Sequence, residues 1–294
     1  MRAFAAAALM AATILPPVQA SAQQSTERDE CFAQNGVSPD LSLSACTAVI
    51  ESGKESPRVL TDALMRRGNA YFNDKNDYDR AIQDYDAIIR IDPNKALAFN
   101  NRGNGYLRKA QYDRALQDFD QAIRLDPKLA VALVNRAAVH RAKARFDNAI
   151  QDCDQAIAIN AKFAVAYFGR GVSYQEKAVW DFDAYLKQEQ YTDRAIADYS
   201  EAIRLDPNNA AAFQRRANIY VDKRQYDRAI ADYSEAIRLK PKDGWLFKDR
   251  AYAFRFAGQH DHAIADYRIA LTLIIDEAGK NQIKASLKQL RVTS

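Results

Sequence analysis

Six arginines and six aspartates recur at matched places in this chain, and opposite charges so spaced have two uses. Arg67, Arg102, Arg136, Arg170, Arg216 and Arg250 each precede a small residue, while Asp84, Asp118, Asp152, Asp198, Asp232 and Asp266 each precede Tyr85, Phe119, Cys153, Tyr199, Tyr233 and Tyr267. A guanidinium presents a planar fork of N–H donors that fits a carboxylate bidentately. The pattern predicts a ladder of structural ion pairs, Arg102 with Asp118 and Arg216 with Asp232 among them, made within a repeat or to its neighbour. Arginines lining an anion groove are the competing arrangement, which the matched aspartates would neutralise. Other chemistry is sparse. His260-Asp261-His262 offers two ligands on a turn but no third, so no metal site is expected. There is no Gly-rich phosphate loop, no G-x-S-x-G and no zinc-finger cysteine pattern. The expectation is no catalytic residue, no cofactor and no enzyme.

The elements that position these charges repeat. QYDRALQDFDQAIRLDP at 111–127 and QYDRAIADYSEAIRLKP at 225–241 are near copies, and the aromatic slot recurs at intervals of 34, 34, 46, 34 and 34 residues. Six units of period 34 follow, one of them carrying twelve extra residues within 178–190. Each unit reads as two helices. In the second, Ala115, Phe119, Ala122 and Ile123 make one apolar stripe. Asp113 and Asp227 stand where its N-cap would be, and Pro93, Pro127, Pro207 and Pro241 end it. In the first helix, Phe99, Gly103 and Tyr106 share a face, and only a small residue (Gly68, Gly103, Ala137, Gly171, Ala217, Ala251) lets the two helices approach.

This unit, large–x3–small–x2–aromatic and then Ala–x3–aromatic–x2–Ala–x4–Pro, resembles the tetratricopeptide repeat over about residues 61–275. The resemblance implies an all-α, right-handed α-solenoid of six helix-turn-helix units, whose first helices line a groove for a peptide or partner protein. Carried over position by position, it places Asn69, Asn101, Asn104, Asn135 and Asn218 in the groove as backbone-pairing amides, with Val165, Phe168, Val172, Trp245 and Tyr252 as apolar anchors. The asparagine pairs resemble part of the clamp with which some members hold chaperone tails. Met65, Asn100 and Val131 replace its lysines, so that ligand is not carried over.

Neighbouring units must stack to bury their faces, and the ends of the array need covers. Residues 23–60 read as an N-terminal cap, with Cys46 in the aromatic slot; 276–294 read as a capping helix with Ile283, Leu287 and Leu290 on one face. Residues 1–22 have the form of a secretory signal peptide, with Arg2, an apolar run from Ala3 to Leu15 and Ala20-Ser21-Ala22 before the cut. The mature chain is then expected to be soluble, periplasmic or secreted, without a membrane span. In that oxidising compartment Cys31 and Cys46 are expected to form a disulfide, while Cys153, in an aromatic slot, reads as a buried small hydrophobe. Trp180, Phe182 and Tyr185 make the insertion a second candidate partner surface. With 42 basic against 38 acidic side chains interspersed along the chain, nucleic acid is not indicated. The reading is an exported protein-binding adaptor. Self-assembly into a homo-oligomer and an RNA-binding helical repeat are its alternatives.

Overall fold

The computed structural model describes residues 26–33, 38–180 and 187–293, with side chains through 290. Residues 1–22, where a signal peptide is expected, and Phe182 and Tyr185 within the insertion lie outside the described residues. All regular elements among the described residues are helices: α1 (26–32), α2 (Pro39–Glu51), α3 (Pro57–Asn73), α4 (Tyr78–Ile91), α5 (Ala96–Arg108), α6 (Tyr112–Leu125), α7 (Ala130–Ala142), α8 (Phe146–Ile159), α9 (Ala164–Trp180), α10 (Gln188–Leu205), α11 (Ala210–Asp222), α12 (Tyr226–Leu239), α13 (Gly244–Phe256), α14 (His260–Leu273) and α15 (Glu277–Thr293). The chain divides into two compact units, Met1–Leu125 and Asp126–Ser294. The first holds α1 to α6, the second α7 to α15.

Helix pairs close because one partner gives up its side chain. A Cβ on Gly103 of α5 would sit 2.8 Å from the Phe119 ring of α6, and one on Gly68 of α3 would meet Tyr85 of α4 at the same distance. Alanines complete the seam from the second helix: Ala81, Ala115, Ala149, Ala195, Ala229 and Ala263 are fully buried.

The turns explain the punctuation. Between the second helix of one pair and the first of the next, the Oδ1 of Asp92, Asp126, Asn160 or Asp206 accepts the backbone N–H two residues on, at 3.0–3.1 Å. This short side-chain turn is intact at Asn160, although Ala161 stands there in place of proline. The turns inside five of the pairs hold a left-handed residue two before the second helix: Asn76, Ala110, Ala144 and Arg224 have φ of 52–56°, and Gly258 has 77°. Asp113 and Asp227 are not N-caps. They lie inside the first turn of α6 and α12, where a negative charge meets the helix dipole instead.

Both ends of the array are covered. In the first unit Cys31 and Cys46 are fully buried and disulfide-bonded, with Cα atoms 4.7 Å apart, and they share a small core with Ala45, Val49 and Ala63. The α3 helix begins at Pro57, ahead of the boundary at 61 read from the repeat. In the second unit Ile283 and Leu290 of α15 are buried against Tyr267, Ala270 and Ile274. The insertion is partly absorbed into helix: α9 has 17 residues where α7 has 13, and α10 has 18 where α12 has 14.

Candidate functional site

The arginines come first, because their geometry decides what they are for. Arg102 Nε and Nη2 donate to Asp118 at 2.8 and 2.6 Å, and Arg216 does the same to Asp232 at 2.8 and 2.7 Å. Arg67–Asp84, Arg136–Asp152, Arg170–Asp198 and Arg250–Asp266 repeat the fork, each within its own repeat. The remaining nitrogen reaches back to the preceding repeat. Nη1 of Arg67, Arg102, Arg170, Arg216 and Arg250 donates to Thr47, Asp86, Asp154, Ser200 and Ser234 at 2.6–3.2 Å. Each of these acceptors directly follows the aromatic or cysteine slot, so the ladder is made both within a repeat and to its neighbour. Each of these five guanidiniums therefore ties two repeats together between the helices, and offers no free row for an anion. Burial raises the Asp118 and Asp198 carboxyls even against the pull of their arginines, which in turn are held more firmly charged by those hydrogen bonds.

In the first unit, the amides on the first helices form a connected strip. Tyr85 Oη donates to Asn69 Oδ1 at 2.8 Å; Asn101 Nδ2 donates to the same oxygen at 3.2 Å and lies 3.3 Å from Met65 Sδ. Asn100, itself buried, donates to Asn101 Oδ1 at 3.0 Å. Asn69 and Asn101 thus hold the core tyrosine and each other, which their reading as backbone-pairing amides did not include. The Asn69 amide N–H donors stay uncommitted among the described residues, and so does all of Asn104, half-buried one turn along the same helix face from Asn100 and Asn101.

In the second unit the pattern recurs with different chemistry. Tyr233 Oη donates to Asn218 Oδ1 at 2.7 Å, and Tyr199 Oη to Gln175 Oε1 at 2.7 Å. Burial keeps both phenols protonated far above their ordinary range. Gln175, Asn218, Val221, Asp222, Tyr233, Asp249 and Tyr252 enclose an open depression of about 370 Å³. Tyr252 is 42% exposed and its ring lies 4.5 Å from that of Phe256, which stacks on Tyr226 at 5.8 Å. Asp249 holds the slot of the first helix that Asn101 and Asn135 hold in theirs. Burial raises its carboxyl, with Lys248 and Gln214 offsetting part of the rise. Asn135 is half-buried on α7. Phe168 lies over Tyr199 at 5.8 Å, half-buried, and Val165 is 51% exposed.

Two of the expected apolar anchors are packed within the fold. Val172 is no anchor: it is buried with Ala195, Tyr199 and Ile219, because Ile219 of the next first helix covers so short a side chain. Trp245 is exposed on one side only. Lys248 Nζ sits 4.7 Å above its ring, whose edge packs so close to α15 that a Cβ on Gly279 would stand 2.7 Å away. At the insertion, Trp180 is 72% exposed beside Val179 at the end of α9. Cys153 is fully buried, and burial pushes its thiol up to about 12, so it is inert at neutral pH. Among the described residues no group of three potential metal ligands occurs, and no helix is long and apolar enough to cross a membrane.

Comparison with known proteins follows from this geometry. Family models match as tetratricopeptide repeat over 96–129, as TPR repeat over 68–110 and as ETO1 C-terminal domain over 159–287. No curated protein matches the sequence. Among solved structures, a tetratricopeptide repeat protein from Parabacteroides merdae is 18% identical, covering 92% of this chain and 99% of that one, with a TM-score of 0.61. Human IFIT1, solved as a dimer with PPP-AAAA, is 13% identical over 92% of this chain and 64% of that one, TM-score 0.66. YrrB, described as a TPR protein with an unusual peptide-binding site, is 16% identical over 68% of this chain and 97% of that one, TM-score 0.50. At these identities the likeness concerns the fold.

Proposed function

Since this chain is a tetratricopeptide repeat protein, built as an α-solenoid of helical repeats, we propose that it is an exported adaptor that holds a segment of another protein against the first helices of its repeats. The fold is that of protein-interaction scaffolds, which are generally not enzymes. One observation carries the finer reading. The first-helix faces keep polar groups and apolar surface that the fold does not use: the whole amide of Asn104, the donors of Asn69, the depression beside Asn218 and Tyr252, and the outward side of Val165. An extended chain has an N–H and a C=O at every residue, and an asparagine side chain pairs with both. Apolar side chains of that chain would meet Val165, Phe168 and Tyr252. The same fold serves a peptide-binding protein in YrrB and holds PPP-AAAA in IFIT1, so it does not choose between ligands. The residues favour protein, because the six ladder arginines that would attract phosphate are spent on aspartates.

Export rests on the leader at 1–22 and is consistent with a disulfide in the cap. Sequencing the N-terminus of protein from the periplasmic or secreted fraction should give Gln23 as the first residue; an intact leader on cytoplasmic protein refutes it. For the adaptor itself, the mature chain is compared with an Asn104→Ala, Asn135→Ala, Phe168→Ala variant in capture from periplasmic extract, both shown to be folded by circular dichroism. A partner retained by the first and lost by the second supports the first-helix site. The same partner held equally by both refutes it and moves the site to Trp180.

A further inference from the structure

The depression in the second unit has a charge that the fold leaves unbalanced. Asp222 closes the C-terminal end of α11 and lines the depression together with Asp249 of α13 and Tyr233; burial first, and then the charges of Asp249, Asp222 and Asp232, hold the Tyr233 phenol up. Burial raises Asp222, and no cation among the described residues offsets it. The neighbouring Lys223 is engaged elsewhere, with Asp193 at 2.9 Å and Glu189 at 3.6 Å. Asp249 has Lys248 at 3.6 Å, but that ammonium also leans over the Trp245 ring. The other lining atoms suit the same guest. Tyr252 and Val221 form an apolar wall, and the Tyr252–Phe256–Tyr226 stack extends the wall outward as a shelf.

From this arrangement we infer that the depression receives a lysine or arginine side chain of the bound partner segment, with an aromatic or aliphatic neighbour laid on the Tyr252–Phe256 shelf. The inference rests on the adaptor reading and adds a specificity to it. A long basic side chain is suited to both halves of the site: its methylenes lie along Val221 and Tyr252, and its charged head meets two carboxylates. A cation near the face of Tyr252 gains further from the ring quadrupole, as Arg255 already does over Phe256 at 5.4 Å. An acidic segment meets like charge at the same place and is rejected. Burial penalises both Asp222 and Asp249, and a basic guest is the group that would relieve them.

The test is selection of random hexapeptides displayed on phage against the full mature chain, followed by calorimetry with synthetic copies of the selected peptides. The expected result is enrichment of Lys or Arg next to an aromatic or aliphatic residue. Affinity should then fall about tenfold in Asp222→Asn and in Asp249→Asn, and fall with added salt. Both substitutions keep the size of the side chain and remove its charge, and circular dichroism checks that the fold is preserved. Selected peptides without a basic residue, or basic peptides indifferent to both substitutions, overturn this inference and leave the adaptor reading in place. No peptide selected at all overturns both.

Discussion

Replacing Arg102 by methionine removes the head of one ladder guanidinium while keeping the bulk of its stem. The loss is three charge-assisted hydrogen bonds, two to Asp118 and one to Asp86. Asp118 is then a carboxylate with 6% of its side chain exposed and no counter-charge from Arg102, whereas Asp86, at 35%, can turn to water. Breaking one partner out of a buried pair costs about 3–5 kcal/mol, and the exposed share of Arg102 places this case near 3. Most of that is the stranded charge. Arg102→Met with Asp118→Asn should therefore recover more than half of the loss, since an amide tolerates burial far better than a carboxylate. The assay is urea unfolding at pH 7 followed by far-UV circular dichroism on the parent, both single variants and the double. Unfolding confined to part of the array would appear as a broadened transition, which is compared across the four proteins. A loss below about 1 kcal/mol, the range of exposed ion pairs, would refute the reasoning, as would a double variant no better than Arg102→Met alone.

Three further outcomes follow from the same structure. Ala144 holds a left-handed φ of 54° in an exposed turn, so Ala144→Gly should stabilise the chain by about 0.5–1 kcal/mol, read as a rise in melting temperature; an unchanged or lower value contradicts the turn geometry. Gly103→Ala drives a methyl to 2.8 Å from the Phe119 ring and should destabilise by about 1–3 kcal/mol, and a neutral effect would mean that α5 and α6 separate easily. The Asp249 carboxyl is raised above 3.8, so the folded chain keeps that proton to a higher pH than the unfolded chain. Stability contributed there is present at low pH and falls as pH rises through the raised value. Asp249→Asn should accordingly be more stable than the parent at pH 7, with the gap closing towards pH 3; a gap of opposite sign in thermal melts disproves the assignment.

Much of this architecture is legible in the sequence because stacking makes the constraint local. A period of 34 puts each arginine and its aspartate on facing helices of one hairpin, so the Arg102–Asp118 and Arg216–Asp232 pairs can be written down from spacing. The reach of the third nitrogen, from Arg102 to Asp86 or from Arg250 to Ser234, depends on the rotation between repeats, which spacing does not encode. Slot position likewise fails to fix exposure. Asn104, Val172 and Tyr252 share one slot of the first helix, yet Ile219 buries Val172 while Tyr252 outgrows its neighbours. Asp249 is not singled out by its residue type, and the signal in the sequence is its place in the slot of Asn101 and Asn135. Asp113 and Asp227 lie two positions past the N-cap because α6 and α12 already begin at Tyr112 and Tyr226, directly after turns that close through left-handed Ala110 and Arg224.

The central claim is that a partner lies on the first helices, and site-specific photo-crosslinking tests it directly. A photoreactive residue is placed in separate copies of the full chain at Asn104 and Tyr252 on first helices, and at Gln117 and Ala231, exposed on second helices. Irradiation is carried out in the producing cell, and adducts are identified by mass. The account predicts that a common partner is captured from positions 104 and 252 and not from 117 and 231. Capture of that partner from 117 or 231, with none from 104 and 252, would contradict it.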